Sequence, residues 1–115
     1  MPFRIVQTKN TNDAITLSVD VKFGHKASSV IMMDHAIIAT VPDSFQDLFL
    51  GTNNELRDKT ITVTTSVMKT TPSIDSDVDY QLDGAAQNYT DHSSKPACFQ
   101  NGVNVVAHTM EYTFI

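Results

Sequence analysis

The chain has one cysteine, Cys98, and no tryptophan among its 115 residues. A single thiol forms no internal disulfide and cannot build a thiolate-cluster zinc site, so stability has to come from packing. Long apolar runs are missing as well. The longest candidate, residues 30–41, is interrupted by Asp34 and His35 and falls short of the roughly 18–20 apolar residues that cross a bilayer. The N-terminal MPFRIVQTKN lacks an apolar h-region and a small-residue cleavage site. The expectation is a soluble chain with no signal peptide and no membrane partner. Only four glycines are present, at 24, 51, 84 and 102, and none sits in a phosphate-cradling motif.

Basic side chains are absent between Lys69 and Lys95, the interval that holds Asp75, Asp77, Asp79, Asp83 and Asp91. The other eight acids are matched by eight Lys and Arg, so the whole formal charge of −5 belongs to this one segment. Nucleic acid is not an expected partner, because neutralising phosphates takes clustered Lys and Arg.

What the sequence has in quantity is period-two alternation. Ile15, Leu17, Val19, Val21 and Phe23 alternate with Thr16, Ser18, Asp20 and Lys22, the pattern of a strand with one buried face. FRIVQ upstream reads as a first strand joined to it by a hairpin across Asn10, Asn12 and Asp13. In TITVTTSVMK, Ile61, Val63, Thr65 and Val67 face inward, and the β-branched excess resists helix. Val78, Tyr80 and Leu82 alternate with Asp79, Gln81 and Asp83, which suggests a second hairpin partnered with that strand. The run SSVIMMDHAIIATV divides into two short strands at Asp34 and His35.

Phe45, Leu48 and Phe49 in PDSFQDLFLG have helical i, i+3, i+4 spacing, with Gly51 where a helix would end, and predict one short helix. Asn101 and Gly102 predict a tight turn reversing ACFQ onto the last strand. In that strand Val106, Met110, Tyr112 and Phe114 share one parity, while Val103 and Val105 have the other, which suggests a bulge or a change of buried face near Val105. The sum is a single all-β domain over residues 1–115. It should be an antiparallel β-sandwich of about six to eight strands with one short helix, or alternatively a small β-barrel.

The acidic segment is the one chemical asymmetry. An EF-hand read from Asp75 places Asp77, Asp79 and Asp83 correctly, but Tyr80 stands where the turn glycine belongs and Ala86 where the bidentate acid belongs. A sandwich-type calcium loop remains, with Asp75, Asp77, Asp79 and Asp83 as ligands and Asp91 or Asp34 contributing from elsewhere. The simpler expectation is that Asp79, Gln81 and Asp83 form the wet face of an edge strand.

His35 and His92 each follow an aspartate, but adjacent strand residues point to opposite faces, so neither pair is a ready chelate or an oriented base. Ser93 and Ser94 beside His92 read as a loop, Cys98 lacks a catalytic signature, and Asn88 with Thr90 forms a glycosylation sequon. The outward row Thr62, Thr64 and Ser66 suits an ordered polar surface.

The functional expectation is therefore a non-catalytic binding module without a resident cofactor. It would engage a protein partner or a second copy of itself through sheet edges or through Asp75, Asp77, Asp79, Asp83 and Asp91. A calcium-dependent or carbohydrate-binding module is the alternative, and a small hydrolase using His35 or His92 the third reading.

Overall fold

The computed structural model describes residues 2–68, 75–95 and 105–115. Nine strands and one helical turn are present among them: β1 Phe3–Val6, β2 Ala14–Val21, β3 Lys26–Met33, β4 Ala36–Pro42, β5 Phe45–Thr52, α1 Asn53–Leu56, β6 Thr60–Met68, β7 Ser76–Asp83, β8 Tyr89–Lys95 and β9 Val105–Phe114. They form two sheets, one of five strands in the order β1-β9-β6-β3-β4 and one of four in the order β5-β2-β7-β8. The fold is an all-β sandwich, and neither sheet closes into a barrel. All pairings are antiparallel except β1 with β9.

The alternation read from the sequence sets the core. Ile15, Leu17 and Val19 of β2 meet Ile61, Val63 and Val67 of β6, Val78, Tyr80 and Leu82 of β7, and Met110, Tyr112 and Phe114 of β9 in one buried cluster. Each large apolar side chain so buried contributes about 1.5–3 kcal/mol before chain entropy is charged. Thr65, the one polar residue on the inward face of β6, shares a hydrogen bond of 2.9 Å with buried Ser29 of β3. The break at Asp34 and His35 is a tight turn: both residues have positive φ, 47° and 78°, and β3 pairs with β4 across it.

Four expectations are corrected. β1 does not form a hairpin with β2; it runs parallel to β9, pairing Phe3 with Glu111 and Val6 with Phe114. β6 and β7 are not partners either, since they lie in different sheets. β7 is also not an edge strand, because β8 flanks it from Leu82–Tyr89 to Ser76–Lys95. The segment expected to be helical is strand β5, and the helix is the next turn, Asn53–Leu56, capped by Thr52 and Glu55 in a capping box.

Phe45 pairs with Val19 and Leu48 with Leu17, so three steps along β5 answer two along β2. A bulge thereby inserts one residue, and it turns the period-two spacing of inward residues into the i, i+3 spacing of a helix. Asp47 inside it has φ of 56°. The pairing of β9 with β6 is continuous from Val105 to Thr113. No bulge explains the parity change there; Val105 is an exposed apolar side chain. The expected turn at Asn101 and Gly102, the ACFQ strand, Val103 and Cys98 lie outside the described residues.

Candidate functional site

The outward faces of β2, β5, β7 and β8 carry Ser, Thr, Gln and Asp because the inward positions of the same strands are taken by the core. Register aligns them in rows across the sheet: Ser18, Gln81 and Thr90 in one, Asp20, Asp79 and His92 in the next. The rows and the bulged β5 enclose an open groove of about 740 Å³ lined by Ser18, Asp20, Asp47, Asp79, Gln81 and Asp83, among others. Ser18 Oγ accepts a hydrogen bond of 3.0 Å from the Asp47 backbone N–H, which fixes the bulge against β2.

Asp20 and Asp79 are direct cross-strand neighbours, a placement that repels unless a cation intervenes. Lys22 supplies one: its Nζ contacts the Asp20 carboxylate and lies 3.3 Å from Asp79 Oδ2. His92 Nδ1 hydrogen-bonds Asp79 from β8. This contact first, and Lys22 beside it, hold the Asp79 carboxyl below the usual carboxylate range against the opposing effect of partial burial. The same pair of carboxylates raises the Lys22 ammonium. Asp77 accepts from Ser94 Oγ at 2.6 Å and lies 3.9 Å from His92 Nε2.

The five aspartates of the acidic segment thus divide. Asp77, Asp79 and Asp83 share β7, with Asp77 and Asp79 tied to β8 side chains and Asp83 accepting from Gln81 at 3.1 Å. Asp75 precedes β7, its backbone carbonyl 3.3 Å from His25 Nε2. Asp91 points to the other face, where Arg4 Nε and Nη2 donate to both its oxygens, the shortest contact being 2.6 Å. That pair, with the Arg4 guanidinium 5.2 Å from the Tyr89 ring centre, joins β1 to β8 across the sandwich, and the Asp91 bond raises the Arg4 pKa. Asp34 sits in the β3–β4 turn and caps the Thr60 N–H at 3.0 Å. Among the described residues, no group of three or more His, Cys, Asp or Glu side chains is placed to hold a metal ion.

His35 lies in that same turn of the five-stranded sheet while His92 lies on the outer face of the four-stranded one, so the fold does not bring them together. Ser93 and Ser94 are on β8 rather than in a loop. The histidine that meets hydroxyls is His108. It is fully buried, with Ser76 Oγ 2.8 Å from Nε2 and Ser93 Oγ 2.8 Å from Nδ1. Its parity with Val106 and Met110 was the sequence signal for an inward position. With Ser76 also fully buried, the trio ties β9 to β7 and β8 inside the sandwich.

Burial disfavours the imidazolium and, with Lys95 and His92 adding to it against Asp77, lowers the His108 pKa from 6.5. Above pH 6.5 the folded and unfolded chains both carry a neutral ring. As pH falls below that value toward the depressed folded one, the unfolded chain binds a proton that the folded chain refuses. His108 therefore lowers stability over this window by up to about 1.4 kcal/mol per pH unit. An NMR titration of the ring should show a midpoint below 6.5; a midpoint at or above the unfolded value would contradict the assignment.

Comparison of the chain with protein-family models, with curated proteins and with solved structures gives no match. Among the described residues, no helix is long and apolar enough to cross a membrane.

Proposed function

We propose that the chain is a non-catalytic binding module that takes a Lys- or Arg-rich segment of a protein partner into the groove on the outer face of β5, β2, β7 and β8. The observation that supports this reading is the charge of the lining. Asp20, Asp47, Asp79 and Asp83 line the groove, and among the described residues Lys22 is the one Lys or Arg ion-paired with any of them. These five groups carry a formal excess of three negative charges. Gln46, Gln81, Ser18 and Thr90 add donors and acceptors for a peptide backbone. A concave surface of one sign raises the local concentration of an oppositely charged ligand and speeds its capture.

Anisotropy titration of a labelled Lys/Arg-rich peptide, with a Glu-rich peptide of equal length as control, tests the reading. Binding of the basic peptide should weaken as salt rises, since exposed charges are screened beyond a Debye length of ~8–10 Å near physiological salt. The double variant Asp47→Asn and Asp83→Asn should weaken it by on the order of tenfold. Asparagine is tolerated at the positive φ of Asp47, so the bulge survives the change. Affinity that ignores both salt and the double substitution would remove the groove from its role.

A further inference from the structure

The two outer faces of the sandwich are chemically opposite. Against the charged outer face of the four-stranded sheet, the five strands of the other sheet contain three Lys, Arg, Asp or Glu residues: Arg4, Lys26 and Glu111. Arg4 points away from that face, its guanidinium committed to Asp91 of β8. Among the described residues, the outer face of these five strands is therefore uncharged but for Lys26, at one end where β3 begins, and Glu111.

Threonine fills its centre, with Thr64 paired to Thr109 and Thr60 to Thr113. Apolar side chains fill its margins. Phe3 (65% exposed) and Ile5 lie on the β1 side, and Ile37 (65% exposed) and Ile38 on the β4 side. Six of the nine large apolar side chains exposed among the described residues belong to this face, Met68 and Val105 completing the set. Exposed apolar side chains gathered on one nearly uncharged face point to an interaction site.

We propose that this face is the interface of a homodimer in which the five-stranded sheets of two copies stack face to face. Self-complementarity is the argument for a second copy. β6 is the middle strand of the five, so a two-fold axis along it exchanges β1 with β4 and β9 with β3. One row of cross-strand neighbours spans the sheet as Phe3, Glu111, Thr62, Met32 and Ile37. Under the two-fold, Phe3 of each copy lies over Ile37 of the other, and Glu111 over Met32. Apolar margin meets apolar margin, Thr64 meets its own image, and no like charges are opposed. Isologous contacts of this kind close at two copies.

Size agrees with the assignment. Five strands spaced about 4.8 Å apart and eight or nine residues long at ~3.3 Å each give a plan area of about 600 Å² once the shorter β1 and β4 are allowed for. Corrugated side chains expose more than plan area, which brings the face near the ~800 Å² per partner of a standard interface. The partner sheet would sit about 10 Å away with its strands within about 30° of alignment, the ordinary geometry of stacked sheets.

Sedimentation velocity of the full chain over a concentration series, at low and high salt, tests this, with circular dichroism confirming the fold of each variant. The expected result is a reversible dimer that high salt leaves unchanged or tightens, unlike capture of a basic peptide. Thr64→Lys places a cation against its own image and should raise the dimer Kd at least about a hundredfold. Glu111→Gln removes the one carboxylate that stacking desolvates and should lower the Kd by about tenfold. The Asp47→Asn, Asp83→Asn pair, on the opposite face, should leave dimerisation untouched.

A chain that stays monomeric throughout the series overturns the proposal, as does a folded Thr64→Lys variant that dimerises like the parent. Monomeric protein that floats with neutral phosphatidylcholine vesicles would instead give the face to a lipid surface.

Discussion

Gly84→Ala is expected to cost about 3–5 kcal/mol of folding stability, a large part of the roughly 5–15 kcal/mol that holds a domain together. Two separate penalties add. Gly84 has φ of +99°, a region that L side chains rarely enter, and a Cβ there would stand 2.0 Å from the carbonyl oxygen of Ala14. That oxygen is not free to move, because Ala14 opens β2 and is paired with Thr52 of β5. Relief would have to come from the backbone turn after β7, whose own carbonyl is held by Asn53 Nδ2 at 2.9 Å. Backbone strain of this type costs about 1–3 kcal/mol and overpacking a rigid contact a similar amount.

Gly24→Ala separates the two. Its φ is +68°, but nothing stands within 4 Å of the added methyl. Only the conformational term applies, so a loss of about 1–2 kcal/mol is expected. Urea unfolding of both variants at constant m checks the comparison. Equal losses at the two glycines would show that the contact with Ala14 contributes nothing.

The fold is legible in the sequence where the physics is local and hidden where it is not. One buried face per strand imposes alternation, and alternation identified the inward residues of β2, β6 and β7 and the turn at Asp34 and His35. Pairing is not local. β1 and β9 are joined in parallel although their sequence neighbours lie far apart, and β6 and β7, adjacent in the chain, go to different sheets. The bulge in β5 defeated the reading for a definite reason, since one inserted residue converts strand spacing into helix spacing.

At the candidate site the same division holds. Asp79 and Asp83 stand out in the sequence as members of the acidic segment, but Asp20 and Asp47, which line the groove with them, belong to the charge-balanced remainder, because only register brings β2 and β5 beside β7. Asp91 was assigned to the acidic surface because its inward parity on β8 and its partner Arg4, 87 positions away in sequence, are visible only in three dimensions.

Register also explains why one chain can serve two kinds of surface. A sandwich has two outer faces whose residues are free of the core, and here the charge has been sorted between them. Carboxylates crowd the four-stranded sheet, where Lys22 and His92 temper them, while threonine and aliphatic side chains occupy the five-stranded sheet. Salt should therefore distinguish the two proposed contacts, weakening the one on the acidic groove and leaving the one on the threonine face unchanged or tighter.

Asn53→Ala should cost about 3–5 kcal/mol, although Asn53 lies on a one-turn helix with little stability of its own. The residue is fully buried, and its side chain closes one end of the sandwich by joining three separate segments. Oδ1 accepts from the Lys9 N–H at 2.9 Å, and Nδ2 donates to the carbonyls of Asp13 at 2.8 Å and Gly84 at 2.9 Å. Its backbone N–H reaches Asp13 as well, at 3.0 Å, so the Asp13 carbonyl keeps one partner in the variant while the Lys9 N–H and the Gly84 carbonyl lose theirs. Each buried group left unpaired costs about 1–3 kcal/mol, and the vacated volume adds a packing loss. Asn53→Asp keeps the volume and the Lys9 bond but turns a carboxylate toward two carbonyl oxygens. It should be at least as damaging at neutral pH and recover in part as acid restores a donor. Chemical denaturation at two pH values decides the matter. An alanine variant as stable as the parent, or an aspartate variant indifferent to pH, would show that these three bonds do not hold the segments together.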